Sequence, residues 1–317
     1  MIESTVVSVV IVNWNVRKLV VNCLRSLIAR NPSLILDISV IDNNSSDGSG
    51  ELIRREFPQI KLIQNLENVG FSRANNQGIR EAQGQYILLL NPDTLWVDDS
   101  LQRMVEYMNS HPEVGVLGPK LLNADAQSIQ YWGARRLPRP LDTFFEYSKL
   151  SSIFPRNRLF GRHLMGNWNH TDSREVECLS GACMLIRQQT LQEVGLLDEN
   201  YPLYTEDTDW CYRVHLTNWK MYYFAEARLI HIGQQSSLQN RGKATINAVR
   251  GIYRYHRKFY GVAALLMVWF LVWITSIAKI FGWAALFLIR ANGRELALKQ
   301  MKTYWNVCCL LPTAGIN

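Results

Sequence analysis

Glu206, Asp207 and Asp209 place three carboxylates within four residues of a chain whose formal net charge is +7. Carboxylates held close raise one another's pKa, and that tunes one of them to take a proton near neutrality. A helix starting at Glu206 would also use them, as N-terminal caps and as partners of the helix dipole. Glu206, Asp209, Trp210 and Arg213 are therefore candidate contacts to an acceptor or a sugar, with Asp207 the candidate base. Asp93 is the second group that could do chemistry. It follows the uncharged run 86–90, which Pro92 ends by removing a backbone donor and restricting the residue before it. A carboxylate at the carboxyl end of a strand lies where open α/β sheets keep their ligands. The other reading is that Asp93 caps a helix starting near Val97. His231, a lone histidine among apolar residues, is structural or a ligand.

The elements that must carry these groups alternate from the start. Residues 6–13 are β-branched and read as a buried strand, followed by helical spacing over 16–29. Strands are expected at 36–41, 60–64 and 86–90, with helices at 50–57 and from about 68 to 82. Repeated strand-helix units predict a parallel sheet with right-handed crossovers. Polar residues gather after each strand: Asn13 and Asn15, then Asp42, Asn43 and Asp47, then Asn91 and Asp93. Three such strand ends describe one polar crevice along one sheet edge. Beyond it come a helix at 101–109, strands at 114–117 and 179–187, a helix at 188–194, and a single strand at 221–225, after which the stretch 229–233 presents His231. The segment 123–177 has no clean periodicity and is rich in Arg, Pro and aromatic residues, as in Arg135-Arg-Leu-Pro-Arg-Pro140. Long irregular segments of this kind serve as binding loops.

Composition bounds the classes. The 317 residues suit one large α/β domain with an appendage, and 48% hydrophobic with 19% charged residues mark a folded chain. The basic excess suits an anionic partner, but no basic run with interleaved aromatics marks a nucleic-acid module. No Gly-x-Gly-x-x-Gly follows the first strand and no Gly-Lys-Ser/Thr occurs, against a dinucleotide fold or a P-loop enzyme. A nucleotidyltransferase would need a basic glycine-rich loop at that place, and the sequence has none there. The N-terminus does not read as a secretory signal, and the six cysteines read as reduced thiols rather than a disulfide framework.

Taken in order, Val12-Asn-Trp-Asn15, Asp42-Asn-Asn-Ser-Ser-Asp-Gly-Ser49, Asn68-Val-Gly-Phe71 with Asn76-x-Gly78, Asn91-Pro-Asp93, Gly181-Ala-Cys-Met-Leu-Ile-Arg187, Glu206-Asp-x-Asp209 and His231 resemble the family-two glycosyltransferases of GT-A fold. The likeness is strongest to bacterial rhamnosyltransferase-like members. It implies a Rossmann-like, mostly parallel central sheet flanked by helices, and inverting transfer from a nucleoside-diphosphate sugar. It also implies that Asp42, with Asn13, Asn15, Asp47, Asn76 and Asn91, binds the donor nucleotide. Asp93 and His231 would then hold a divalent metal, Mg2+ or Mn2+, and Asp207 would be the catalytic base. Asn91 departs from the family by standing where a first acid is common.

Residues 262–289 are largely apolar and long enough for a bilayer of about 30 Å. Lys279 interrupts them, and basic residues flank both ends, which favours keeping both ends on the cytoplasmic side. The expectation is two short helices in the interface, with Trp269, Trp273 and Trp283 at headgroup level; a buried hairpin at a homodimer contact is the alternative. Residues 1–240 then form the GT-A domain, with 123–177 on the acceptor side, and 241–317 a helical membrane-associating region. An enzyme on the cytoplasmic face of a bacterial inner membrane suits transfer of a deoxyhexose such as rhamnose from dTDP or UDP. The acceptor would be a polyprenyl-diphosphate-linked saccharide in surface polysaccharide assembly, such as O-antigen or cell-wall polymers. A membrane-tethered nucleotide-sugar-binding scaffold without catalysis is the competing reading.

Overall fold

Val6–Asn13 forms β1, an apolar β-branched run in which every residue after Val6 is buried. A computed structural model describes residues 6–201, 203–233, 241–289 and 293–312. After β1 come α1 (Arg17–Arg30), β2 (Ile35–Asp42), α2 (Ser49–Glu56), β3 (Lys61–Gln64), α3 (Phe71–Glu81) and β4 (Tyr86–Leu90). The chain continues through β5 (Thr94–Trp96), α4 (Ser100–Ser110), β6 (Val114–Leu122), β7 (Ala134–Arg135), α5 (Pro140–Tyr147) and α6 (Leu150–Ile153). Then follow β8 (Arg174–Glu175), β9 (Cys178–Leu179), β10 (Cys183–Arg187), α7 (Gln188–Val194), α8 (Glu206–His215) and β11 (Lys220–His231). Two helices close the chain, α9 (Arg241–Ile289) and α10 (Arg294–Cys308).

The chain divides into two units. The first comprises Met1–Leu137, Trp168–Glu199 and Asp207–Ser236; the second comprises Pro138–Asn167, Asn200–Glu206 and Ser237–Asn317. In the first unit the strands order as β3-β2-β1-β4-β10-β6-β11-β5, with β8 added on β11. β1, β2, β3 and β4 pair in parallel, as the strand-helix alternation predicts. β10 is antiparallel to both β4 and β6, so the sheet is mixed. The core joins the apolar faces of β1, β4 and β10 to α1 and α4, with Leu24, Leu27, Leu88, Met104 and Leu185 wholly enclosed. Gly78 sits where α3 crosses β1, and a Cβ there would lie 2.5 Å from Val10 Cγ1. Asn43 clasps the Asn68-Val69-Gly70 turn: its Nδ2 donates to Asn68 Oδ1 at 3.0 Å, and its Oδ1 accepts from Val69 N at 3.0 Å.

Two sequence expectations change here. Asp93 does not cap a helix near Val97, because Thr94–Trp96 is a strand and α4 begins at Ser100. Asp98 Oδ1 takes the capping bond from Ser100 N at 3.0 Å. The strand expected at 221–225 is longer: β11 runs on to His231, with a register shift between Phe224 and Arg228. Propensity breaks the run there, but pairing along β6 carries it through.

In the second unit, α5 opens with Pro140 in its first turn, and Arg139 N donates to Asp142 Oδ2 at 2.9 Å. α9 breaks once, at Gly261 (φ 81°). Residues 262–289 then run as one helix, long and apolar enough to cross a membrane, rather than as the two short helices expected. Lys279 turns to the protein: Nζ donates to the Tyr147 carbonyl at 2.7 Å and lies 3.8 Å from the Tyr147 ring centroid. Trp269 is not free for a headgroup, since its Nε1 donates to the Leu310 carbonyl at 2.9 Å. Val262, Leu266, Phe270, Trp273, Phe281 and Ile289 remain exposed.

Candidate active site

Strand pairing explains how distant residues meet. β5 runs antiparallel to β11 with His231 opposite Thr94, so the residue before Thr94 falls beside the end of β11. His231 Nε2 lies 3.3 Å from Asp93 Oδ1 and 3.4 Å from Asn91 Nδ2. Ile232 N donates to the Asp93 carbonyl at 2.9 Å, which ties the two backbones. Gln130, which the sequence did not single out, places its Oε1 2.9 Å from His231 Nδ1.

A second cluster surrounds Asp207. Its Oδ2 accepts from Arg135 Nη2 at 3.0 Å and from Gly181 N at 3.1 Å, and its Oδ1 accepts from Thr208 N at 2.6 Å. Burial works against the Asp207 charge, but the Arg135 guanidinium and the Gly181 and Thr208 amides outweigh it and hold the carboxyl below its ordinary pKa. The expected upward tuning by neighbouring acids is thereby corrected. Asp209 is wholly buried and pairs instead with Arg213 Nε at 3.0 Å. Arg135 lies in the basic stretch 135–140, yet its solitary burial has no periodic signal in the sequence.

One dipeptide joins the two clusters. Cys183 pairs with Leu90 across β10 and β4, so Ala182 O accepts from Asn91 N at 2.9 Å while Gly181 N binds Asp207. Two residues of extended chain span about 7 Å. The Asn91–Asp93 turn and Asp207 are thus bonded to adjacent residues of one extended stretch.

At the β1 and β2 ends, Asn13 Nδ2 donates to Asp42 Oδ1 at 3.1 Å, and both side chains are buried. Asn13 Oδ1 is buried and has no hydrogen-bond partner among the described residues. Asn15 Oδ1 accepts from Ser46 N at 2.7 Å and, with φ 52°, turns the chain towards α1.

Several expected ligand contacts are committed to the fold. Asp47 accepts from Arg17 N at 2.8 Å and Ser49 N at 3.0 Å, holding the starts of α1 and α2. Asn76 Nδ2 donates to Leu197 O at 2.9 Å and Glu199 Oε1 at 3.0 Å, and its Oδ1 takes Leu197 N at 3.0 Å. Trp210 is enclosed, with Nε1 on the Gly195 carbonyl at 2.8 Å. Arg213 also donates to Val194 O and Leu196 O, each at 2.7 Å. Asp209, Trp210 and Arg213 therefore anchor α8 rather than face a sugar. Glu206 is buried, at the start of α8.

For a metal, the described residues hold no group of three or more His, Cys, Asp and Glu. The Asp93 and His231 pair still fits a divalent cation, because such ions commonly take few protein ligands and complete their shell with phosphate oxygens and water. A mixed carboxylate and imidazole set favours Mn2+ over Mg2+.

A mixed sheet with flanking helices and acids at its carboxyl edge is the architecture of the GT-A fold. The model for "Glycosyl transferase family 2" matches residues 8–168, and the chain belongs to that family. It is 27% identical over 217 residues to the N-acetylglucosaminyl-diphospho-decaprenol L-rhamnosyltransferase of Mycobacterium tuberculosis, covering 65% of this chain and 68% of that relative. It is 24% identical over 215 residues to the low-salt glycan biosynthesis hexosyltransferase Agl10 of Haloferax volcanii, covering 67% and 62%. Among solved structures, GalNAc-T7 with UDP, GalNAc and Mn2+ aligns with a TM-score of 0.58 at 18% identity, over 82% of this chain and 50% of that one. The mannosyltransferase PcManGT of Pyrobaculum calidifontis, in complex with GDP-Man and Mn2+, aligns at 0.53 and 14% identity, over 95% and 86%. The last two likenesses concern the fold alone.

Proposed function

We propose that the protein transfers a deoxyhexose, rhamnose in the leading case, from a dTDP- or UDP-linked donor to a polyprenyl-diphosphate-linked saccharide, inverting the anomeric centre. The Gly181-Ala182 link carries this reading, because it bonds Asp207, the proposed base, through one residue and the Asn91–Asp93 turn, the proposed diphosphate side, through the next. The relative named as a rhamnosyltransferase acting on a decaprenol diphosphate sugar supports the substrate class.

Asp42 and Asn13 hold the pyrimidine, with the open Asn13 Oδ1 as acceptor. Asp93 and His231 hold a divalent cation, which supplies positive charge against the departing diphosphate. Asp207, kept ionised by Arg135, takes the proton of the acceptor hydroxyl as its oxygen attacks the anomeric carbon. Base and leaving group then lie on opposite faces of the sugar, which inverts the centre. The depressed pKa makes Asp207 a weak base held wholly in its active form, so its contribution comes from placement as much as from basicity.

The exposed apolar residues of 262–289, with Arg250, Arg254, Arg257 and Lys258 before them and Arg294, Lys299 and Lys302 after, suit attachment to an anionic leaflet. That would bring the enzyme to its lipid-linked acceptor on the cytoplasmic face.

Purified full-length protein incubated with a panel of nucleotide sugars and a polyprenyl-diphosphate-N-acetylglucosamine acceptor tests the proposal. Nucleoside diphosphate release dependent on one donor and on the acceptor is the expected result. Donor binding without release from any member of the panel would support the scaffold reading instead.

A further inference from the structure

We infer that Gln130 is a positioning residue for His231, fixing the imidazole tautomer whose Nε2 lone pair faces Asp93. The inference rests on the metal-binding reading above and assigns a role to a residue outside the expected ligand set.

Gln130 is itself held before it acts. Its backbone N donates to Leu121 O on β6 at 2.9 Å, and its carbonyl accepts from Gly133 N at 2.9 Å as the following turn begins. The amide orientation follows from a backbone group. Nε2 donates to the His231 carbonyl at 2.5 Å, and a carbonyl can only accept. Oε1 is thereby left facing the ring, 2.9 Å from Nδ1. An amide oxygen only accepts, so Nδ1 carries the proton. In the neutral ring Nε2 then bears a lone pair, and the nearby Asn91 Nδ2, a donor, is consistent with that.

The consequence falls on Asp93. With Nδ1 protonated, Nε2 and Asp93 Oδ1 point lone pairs at each other across 3.3 Å. Two acceptors at that distance repel unless a positive centre is shared between them. A divalent cation supplies one, and the preset tautomer spares it the cost of expelling a proton from Nε2. Gln130 therefore acts on the metal through the ring, as an outer partner that orients a ligand.

Full-length protein and its Gln130→Met and Gln130→Glu variants test this with two readouts. The first is the 15N shift pattern of His231 in metal-free protein, assigned by its loss in His231→Gln. The second is Mn2+ affinity by electron paramagnetic resonance in the presence of dTDP and, separately, UDP. The parent should show the Nδ1–H tautomer. Gln130→Met should lose that pattern and weaken Mn2+ binding by about 10- to 100-fold. Gln130→Glu keeps an acceptor for Nδ1–H and should retain most of the affinity. Thermal melts confirm that each variant is folded. A metal-free parent with the proton on Nε2, or on both nitrogens, overturns the inference. So does a Gln130→Met variant that binds Mn2+ as tightly as the parent, and the metal reading then stands. A parent with the expected tautomer that takes up no Mn2+ refutes the metal reading and the inference with it.

Discussion

Asp93 and Asp207 are satisfied in opposite ways. Asp207 receives an arginine and two backbone amides, from β7, the Gly181 turn and its own helix. Asp93 has the His231 ring beside its carboxylate, and that ring presents a lone pair rather than a proton if Gln130 sets the tautomer. The fold supplies a permanent positive charge to Asp207 and only an imidazole to Asp93. A carboxylate already neutralised cannot recruit a metal, and one left short of donors is a poor fixed base. The division of labour follows from which partner each receives.

Asp207→Asn should cause the largest change. It keeps the shape and removes the proton acceptor, so turnover should fall by about 10²- to 10⁴-fold while the donor dissociation constant stays near the parent value. Steady-state kinetics with calorimetric donor titration measures both. A variant that retains full turnover would leave the base unassigned and break the contrast at once.

Arg135→Gln comes next, because it strips the buried Asp207 of its counter-charge. Breaking a buried pair from one side costs about 3–5 kcal/mol, read from denaturant unfolding. The sign of the pH effect follows from the causes. In the parent the folded pKa is depressed, so the charged form stabilises the fold above the unfolded pKa and that contribution is lost as pH falls through the folded value. Without Arg135, burial prevails and the pKa rises. The acid limb of kcat/KM should therefore move upward. An unmoved limb would mean that Arg135 does not tune the base.

Asp93→Asn is expected to be the mirror image of the Asp207 change. Mn2+ affinity should fall by at least about 100-fold, and donor affinity should fall with it, since both share one carboxylate. Loss of turnover with unchanged Mn2+ and donor binding would place Asp93 outside any metal site.

How far these two groups could be read from the sequence differs for a physical reason. Asp93 was legible because a buried strand ending at Pro92 leaves a local signature, and the same holds for Asn13 and Asp42 after β1 and β2. The parallel half of the sheet followed from the same hydrophobic runs. Arg135, the partner of Asp207, and Gln130, the partner of His231, had no such signature. Arg135 belongs to a two-residue strand, and Gln130 to an irregular stretch, where nothing periodic marks an inward side chain. Asp209, Trp210 and Arg213 misled for the converse reason. An acidic and aromatic cluster reads alike whether it faces a ligand or ties α8 to the carbonyls of Val194, Gly195 and Leu196. Asp47 and Asn76 likewise sit among polar residues at strand ends, but long-range bonds to Arg17 and Leu197 decide their role.

Gly181→Ala gives the smallest and most discriminating change. A Cβ at that position would stand 3.3 Å from Asp207 Cβ, close enough that the aspartate must give by a few tenths of an ångström. The backbone amide that binds Asp207 Oδ2 remains in place, and Arg135 still holds the same oxygen. Stability should therefore change by less than about 1 kcal/mol, as for an ordinary mild crowding. Turnover is more sensitive, because a misplacement of about 1 Å can cost about 10²-fold, so a smaller shift should cost about 10-fold or less. Donor and Mn2+ affinities should not move, since Ala182 O keeps Asn91 where it is. If they fall in step with turnover, the dipeptide transmits strain from one aspartate to the other, and the two must be treated as one coupled unit.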